Sequence, residues 1–130
     1  MALNQFGAVM TFAIEMEEQL AAFYDALAEA GDSHTDEFTV RAKGSRKRSS
    51  RLEQSRRQNV TEITLEPIEG LDESDYELDF SVSAGADINA LEAAICQFYT
   101  DVTPKINVRE ARQVLQRCLK EHNRMESLSD

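Results

Sequence analysis

The sequence predicts an all-α chain, a four-helix bundle with one long crossover connection. Three observations predict it. Four segments place apolar residues at three- and four-residue spacing, the repeat of one helix face. Proline occurs only at Pro67 and Pro104, so long helices can run uninterrupted. A short motif occurs twice, once in each half of the chain. Glu17-Glu18-Gln19-Leu20-Ala21-Ala22-Phe23-Tyr24 and Glu92-Ala93-Ala94-Ile95-Cys96-Gln97-Phe98-Tyr99 both read Glu-x5-Phe-Tyr with an aliphatic residue between. Two helices of one kind imply a pseudo-symmetric bundle. A Glu on that face points inward, where a buried carboxylate needs a partner, often a metal.

The first helix is expected over residues 4–29. Met10, Ile14, Glu17, Ala21, Tyr24 and Leu27 share one face. Gly31 in Ala30-Gly31-Asp32 is its C-terminal cap. The second helix is expected over 34–60, opened by a Ser33–Asp36 capping box. Its inner face reads Phe38, Ala42, Ser45, Ser49, Leu52, Arg56 and Val60, continuing to Ile63, and is poor in large apolar side chains. Gly44 lowers its helix propensity.

Residues 64–86 lack a helical period. Leu78, Phe80 and Val82 alternate with polar residues, and Glu69-Gly70-Leu71-Asp72-Glu73-Ser74-Asp75 is turn chemistry. The pattern permits a small hairpin as well as an extended crossover. The third helix, 87–102, ends before Pro104 and turns Ile88, Glu92, Ile95, Tyr99 and Val102 to one side. The fourth, 107–127, is opened by Asn107 with Glu110. Its face is Val108, Ala111, Val114, Leu115, Cys118, His122 and Met125. Two helix pairs with short turns, joined by one long connection, make residues 1–130 a single four-helix domain.

Composition is that of a globular domain, with 42% hydrophobic and 29% charged residues. A net charge of −10 argues against a nucleic-acid binder. Residues 41–57 run against that balance, with Arg41, Lys43, Arg46, Lys47, Arg48, Arg51, Arg56 and Arg57 opposed only by Glu53. The run has no aromatic interleaving and reads as a basic helix face, solvated or paired with acids. No apolar stretch reaches the roughly 20 residues that cross a bilayer. The opening Met-Ala-Leu-Asn-Gln-Phe lacks the basic start and apolar core of a secretory leader. Cys96 and Cys118 read as reduced thiols, so a cytoplasmic protein is expected.

Residues Ala13 to Glu29 resemble the first helix of rubrerythrin-type ferritin-like proteins. The duplication and the long central connection are similar to that family as well. The resemblance implies a ferritin-like four-helix bundle in which the first and third helices each give one Glu to a di-iron centre. The second and fourth each give Glu-x-x-His, and the iron supports ferroxidase or peroxidase chemistry. Glu17 and Glu92 match the first requirement by their place before Phe-Tyr. The second is unmet. Glu53-Gln54-Ser55-Arg56 and Glu121-His122-Asn123-Arg124 both give Glu-x-x-Arg, and no Glu-x-x-His occurs. Arg is a fixed cation without a lone pair, so it repels a metal and pairs with a carboxylate instead.

Two readings of the core follow. In one, Glu17, Glu53, Glu92 and Glu121 form a carboxylate–guanidinium network with Arg56 and Arg124, without a cofactor. The chain is then not an enzyme, and acts through assembly as a homo-oligomer or through a protein partner. The thin apolar face of the second helix favours an oligomer. In the other, Glu17, Glu53, Glu92, Glu121 and His122 bind iron in a site completed at a subunit interface, as a metal-dependent oxidase or iron-handling protein. Tyr24 and Tyr99 read as core aromatics with satisfied hydroxyls. Cys118, one turn before His122, reads as a packed thiol rather than half of a nucleophile pair.

Overall fold

A computed structural model describes residues 6–31, 34–58 and 70–128. Four helices occupy them: α1 Phe6–Glu29, α2 Thr35–Gln58, α3 Gly85–Val102 and α4 Arg109–Asn123. Helix accounts for 80% of the described residues, and no strand occurs among them. The expected all-α class is therefore met. No described helix is long and apolar enough to cross a membrane.

The first hairpin is set by a glycine. Gly31 takes φ of +75° and its N–H reaches the Ala28 carbonyl at 3.2 Å, closing α1 as a left-handed cap. The Ser33–Asp36 box falls partly outside the described residues. The apolar stripe of α1 is buried as its spacing demands, with Met10, Ile14, Glu17, Ala21 and Tyr24 all inside. On α2, Phe38, Ala42, Ser45, Ser49 and Leu52 are buried, but so are Arg41 and Arg48. Arg56 is only half-buried, against the inner position its spacing suggested. Val60 and Ile63 lie outside the described residues.

The described part of the connection, 70–84, carries a single 3-10 turn at Glu73–Tyr76. Asp72 starts it by accepting from the Ser74 N–H at 2.9 Å. The hairpin that the alternation also permitted has no strand among these residues, and positions 64–69 are not described. Tyr76 anchors the turn on α3, edge-on to Phe98 at 5.3 Å with its hydroxyl donating to Asp101 at 2.8 Å. Phe80 packs on Phe23 of α1 at 5.7 Å. The crossover therefore lies over the α1/α3 side.

α3 starts at Gly85, two residues earlier than expected, and gives way at Pro104 to a 3-10 turn, Thr103–Lys105. α4 starts at Arg109, with Val108 at the cap position and no side-chain cap. The Asn107–Glu110 box does not open it, because the chain stays extended through Val108. α4 ends at Asn123 rather than 127. Its tail turns back onto α3, where the Asn89 amide exchanges two bonds with the Leu128 backbone, at 2.9 and 2.8 Å. One hydrophobic core joins all four helices. α1 faces α3 through Phe12 on Phe98 at 5.0 Å, and α2 faces α4 through Glu121, placing the helices as a square.

Candidate functional site

The two repeated motifs meet at the centre of this square. Tyr24 donates its hydroxyl to Glu92 Oε1 at 2.6 Å, and Tyr99 donates to Glu17 Oε2 at 2.5 Å. Each half of the chain thus supplies a phenol to the other half's carboxylate. Periodicity puts both motifs on inner faces, and the antiparallel packing of the pairs brings them level.

His122 joins the two carboxylates. Its Nδ1 lies 2.7 Å from Glu92 Oε2 and its Nε2 lies 2.9 Å from Glu17 Oε2. Both ring nitrogens face carboxylate oxygens, so both must donate, and the ring is an imidazolium. Burial alone would lower the His122 pKa. The charges and hydrogen bonds of Glu17 and Glu92 outweigh it and raise the pKa to about 9. Burial pushes the Glu17 carboxyl up, but His122, Arg48 and Tyr99 together hold it below the ordinary carboxylate range. Burial and the Glu17 charge raise the Tyr99 phenol far above its usual pKa. Burial and Glu92 do the same to Tyr24, so both phenols stay protonated donors.

The cation that completes the layer comes from α2. Arg48 is 2% exposed. Its Nε donates to Glu17 Oε1 at 3.0 Å, Nη2 to the Ser45 hydroxyl at 3.0 Å and Nη1 to Glu121 at 3.3 Å. Gly44 makes the space. A Cβ there would sit 3.2 Å from Arg48 Nη1. The residue that weakens the helix on propensity is the one that admits the guanidinium. One turn before Gly44, Arg41 donates to Tyr24 at 3.1 Å and to the Glu126 carbonyl at 2.8 Å. Its Nε is buried without a hydrogen-bond partner. Glu17 and Glu92 are thus balanced by His122 and Arg48, a neutral quartet at the bundle centre.

Three of the five carboxylate and histidine positions expected at the core, Glu17, Glu92 and His122, are brought together. Glu121 stands at the edge, a quarter exposed, shared by Arg48, Arg51 and Arg117. Glu53 lies outside the cluster and pairs with Arg57 along the helix surface at 3.0 Å. The expected core cations are displaced too. Arg56 donates to Thr11 at 3.1 Å, and Arg124 is exposed beyond the end of α4. Helix pairing explains the shift. α1 ends at Glu29 and α2 begins at Thr35, so position 17 lies level with position 47 or 48 and not with 53 or 56.

Cys118 is buried one turn before His122. Burial and the Glu17 charge push its thiol up to about 12, the opposite of an activated nucleophile. Cys96 is raised by burial and Glu92 in the same sense. No family model matches this chain, and no curated protein or solved structure matches it significantly.

The di-iron centre that the resemblance implies does not fit these residues. Among the described residues, no three His, Cys, Asp or Glu side chains are disposed to hold a metal ion. The reason lies in the bonding. His122 directs both nitrogens at carboxylates, leaving no lone pair, and Arg48 holds a fixed positive charge against Glu17. Glu17 and Glu92 face two cationic groups, one imidazolium and one guanidinium.

Proposed function

We propose that this chain is a ferritin-like, rubrerythrin-type bundle whose di-iron centre has been replaced by internal ion pairs. It binds no cofactor and acts through assembly or a protein partner, not through catalysis. The observation that carries this reading is the Arg48–Glu17 pair, 3.0 Å long and almost wholly buried. A guanidinium in van der Waals space opened by Gly44 is a built feature, with three acceptors aimed at it. A buried charge held this way fixes the register of the helices, while its net contribution to stability is small.

Anaerobic ferrous titration followed by air tests the reading. Well under one iron per chain is expected, with no oxo-bridged absorption. The variant Arg48→His should bind iron measurably, because it removes the fixed cation and adds an imidazole beside Glu17. Tight binding of two irons by the unaltered chain, with their oxidation, would overturn the reading in favour of an iron oxidase or iron-handling protein.

A further inference from the structure

The cations of this chain are concentrated on two of its four helices. No Lys or Arg occurs in residues 1–40 or 58–104, whereas residues 41–57 carry eight and 105–124 carry six. Nearly all of these lie on α2 and α4, which sit side by side through the Arg48–Glu121 and Arg51–Glu121 pairs. α1 and α3 form the opposite side, and the crossover lies across them through Tyr76 and Phe80. The bundle thus has a cationic flank and an anionic flank, a charge asymmetry that the net value of −10 conceals.

Each flank carries a groove. On the cationic side, an open groove of about 600 Å³ is lined by Lys43, Arg46, Lys47, Arg51 and Arg117. Arg46 is occupied by Asp25, and Arg51 and Arg117 by Glu121. Lys43 and Lys47 form no ion pair among the described residues and stand exposed on one stripe of α2. The same stripe begins with Val40, 65% exposed and the only large apolar side chain so exposed among the described residues. On the anionic side, a groove of about 400 Å³ runs between α1 and the crossover. Phe12, Met16, Leu78 and Phe80 lie along it, and the exposed carboxylates Glu15 and Glu77 rim it.

The two grooves are complementary. Lysine stems suit an apolar floor and lysine heads suit an acidic rim. Val40 adds one apolar side chain to the cationic half. We propose that the chain assembles head to tail, with the Val40–Lys43–Lys47 stripe of one copy seated in the α1–crossover groove of the next. A nucleic acid would meet a −10 chain, a groove without aromatic side chains and cations already half neutralised. A second copy meets a matching partner on both counts. The contact is heterologous, so an open chain of copies keeps one cationic flank free at one end and one anionic flank free at the other until a ring closes. The inference rests on the assembly reading above and names the surface that performs it.

Sedimentation of the full chain at low salt and at roughly 1 M salt, where screening acts within about 3 Å, tests it. Association at low salt, weakened at least tenfold at high salt, is expected. Lys43→Glu with Lys47→Glu should give a monomer, as should Glu15→Lys with Glu77→Lys. An equimolar mixture of these two double variants should pair one to one, because each retains the flank the other has lost. All four positions are exposed, and circular dichroism checks that both variants fold. The milder pair Lys43→Gln and Lys47→Gln should weaken association in the same direction.

A wild-type monomer at high micromolar concentration in low salt would overturn the proposal. So would an oligomer indifferent to salt, or double variants that fail to pair on mixing. Binding of inorganic polyphosphate or a short DNA duplex by a monomer, lost in Lys43→Glu with Lys47→Glu, would overturn it by making the groove a polyanion site. Iron titration of the same variants separates the two readings. Iron uptake with salt-sensitive assembly refutes the ion-pair core alone, whereas no iron and no self-association refutes the docking alone.

Discussion

Glu17 and Glu92 come from the same repeated motif, yet the bundle treats them differently. Glu17 is fully buried and takes three donors, Tyr99, His122 and Arg48. Glu92 takes two, Tyr24 and His122. A small cavity of about 170 Å³ beside the tail borders it, lined also by Asn89 and Met125. The guanidinium that answers Arg48 on this side is Arg41, and it stops at the tyrosine hydroxyl rather than reaching the acid. The symmetry of α1 and α3 is therefore broken by their partners. α2 supplies two arginines and α4 one histidine, and the duplicated acid ends with one locked environment and one looser one.

The largest expected effect tests that asymmetry directly. Glu17→Ala leaves Arg48 buried with only Ser45 and the quarter-exposed Glu121, at a cost of about 3 kcal/mol. Glu92→Ala leaves Tyr24 and one histidine nitrogen unanswered while Glu17 still holds the ring, at a cost of about 1–2 kcal/mol. Urea denaturation of the two variants measures the difference. Equal costs would mean that the two acids are equivalent and that Arg48 adds nothing to Glu17.

The histidine that serves both acids makes the comparison depend on pH. The folded pKa of His122 is raised to about 9 above its usual 6.5, so its contribution is fully present below about pH 6.5. It is lost as pH rises through the folded value. Glu17 is shifted the other way, so its contribution is present above its ordinary 4.5 and is lost as pH falls through its lowered value. The urea midpoint should be highest between these limits and fall from neutral pH towards about pH 9–10. His122→Gln should flatten the alkaline arm. A midpoint that held level across that arm in the unaltered chain would show that His122 is not charged in the fold.

The smallest effect concerns the space on the Glu17 side. Gly44→Ala would ordinarily stabilise a helix interior by about 1 kcal/mol. Here the new Cβ meets Arg48 Nη1 at 3.2 Å, and the guanidinium is tethered on three sides. No gain is expected in the unaltered chain, and a gain of about 1 kcal/mol is expected when Arg48→Met is already present. A thermodynamic cycle of the two changes measures the coupling. Simple additivity would mean that Gly44 is not there for Arg48.

The helix faces were legible because burial and period agree. Every apolar position assigned to α3 and the first four assigned to α1 are inside, and the inward turn of Glu17, Glu92 and His122 follows from the same spacing. The crossover residues Leu78 and Phe80 gave only an alternation, because they pack by covering α1 and α3 rather than by pairing in a sheet. Arg56 and Arg124 do not reach the core, because the Glu-x-x-Arg spacing within one helix carries no information on how α2 aligns with α1. The turn at Gly31 was the better ruler, since it sets position 17 against 48. Arg41, Gly44, Ser45 and Arg48 together spell a seven-residue spacing of arginines around two small residues, a signal that apolar periodicity does not register.

The exchange of phenols between the halves has a consequence for how the chain comes apart. Each helical hairpin holds its own charge pair, Glu17 with Arg48 in the first and Glu92 with His122 in the second. What neither hairpin holds is the acceptor for its own tyrosine's hydroxyl proton, because Tyr24 and Tyr99 donate sideways across 68 and 82 residues of sequence. Separating the hairpins leaves two phenol protons without an acceptor and two carboxylate oxygens without a donor at once, so partial opening is penalised at both ends of the same event. Amide protons in α1 and α3 should accordingly exchange with solvent through one shared opening, and the molecule should behave as a single cooperative unit rather than as two stacked pieces.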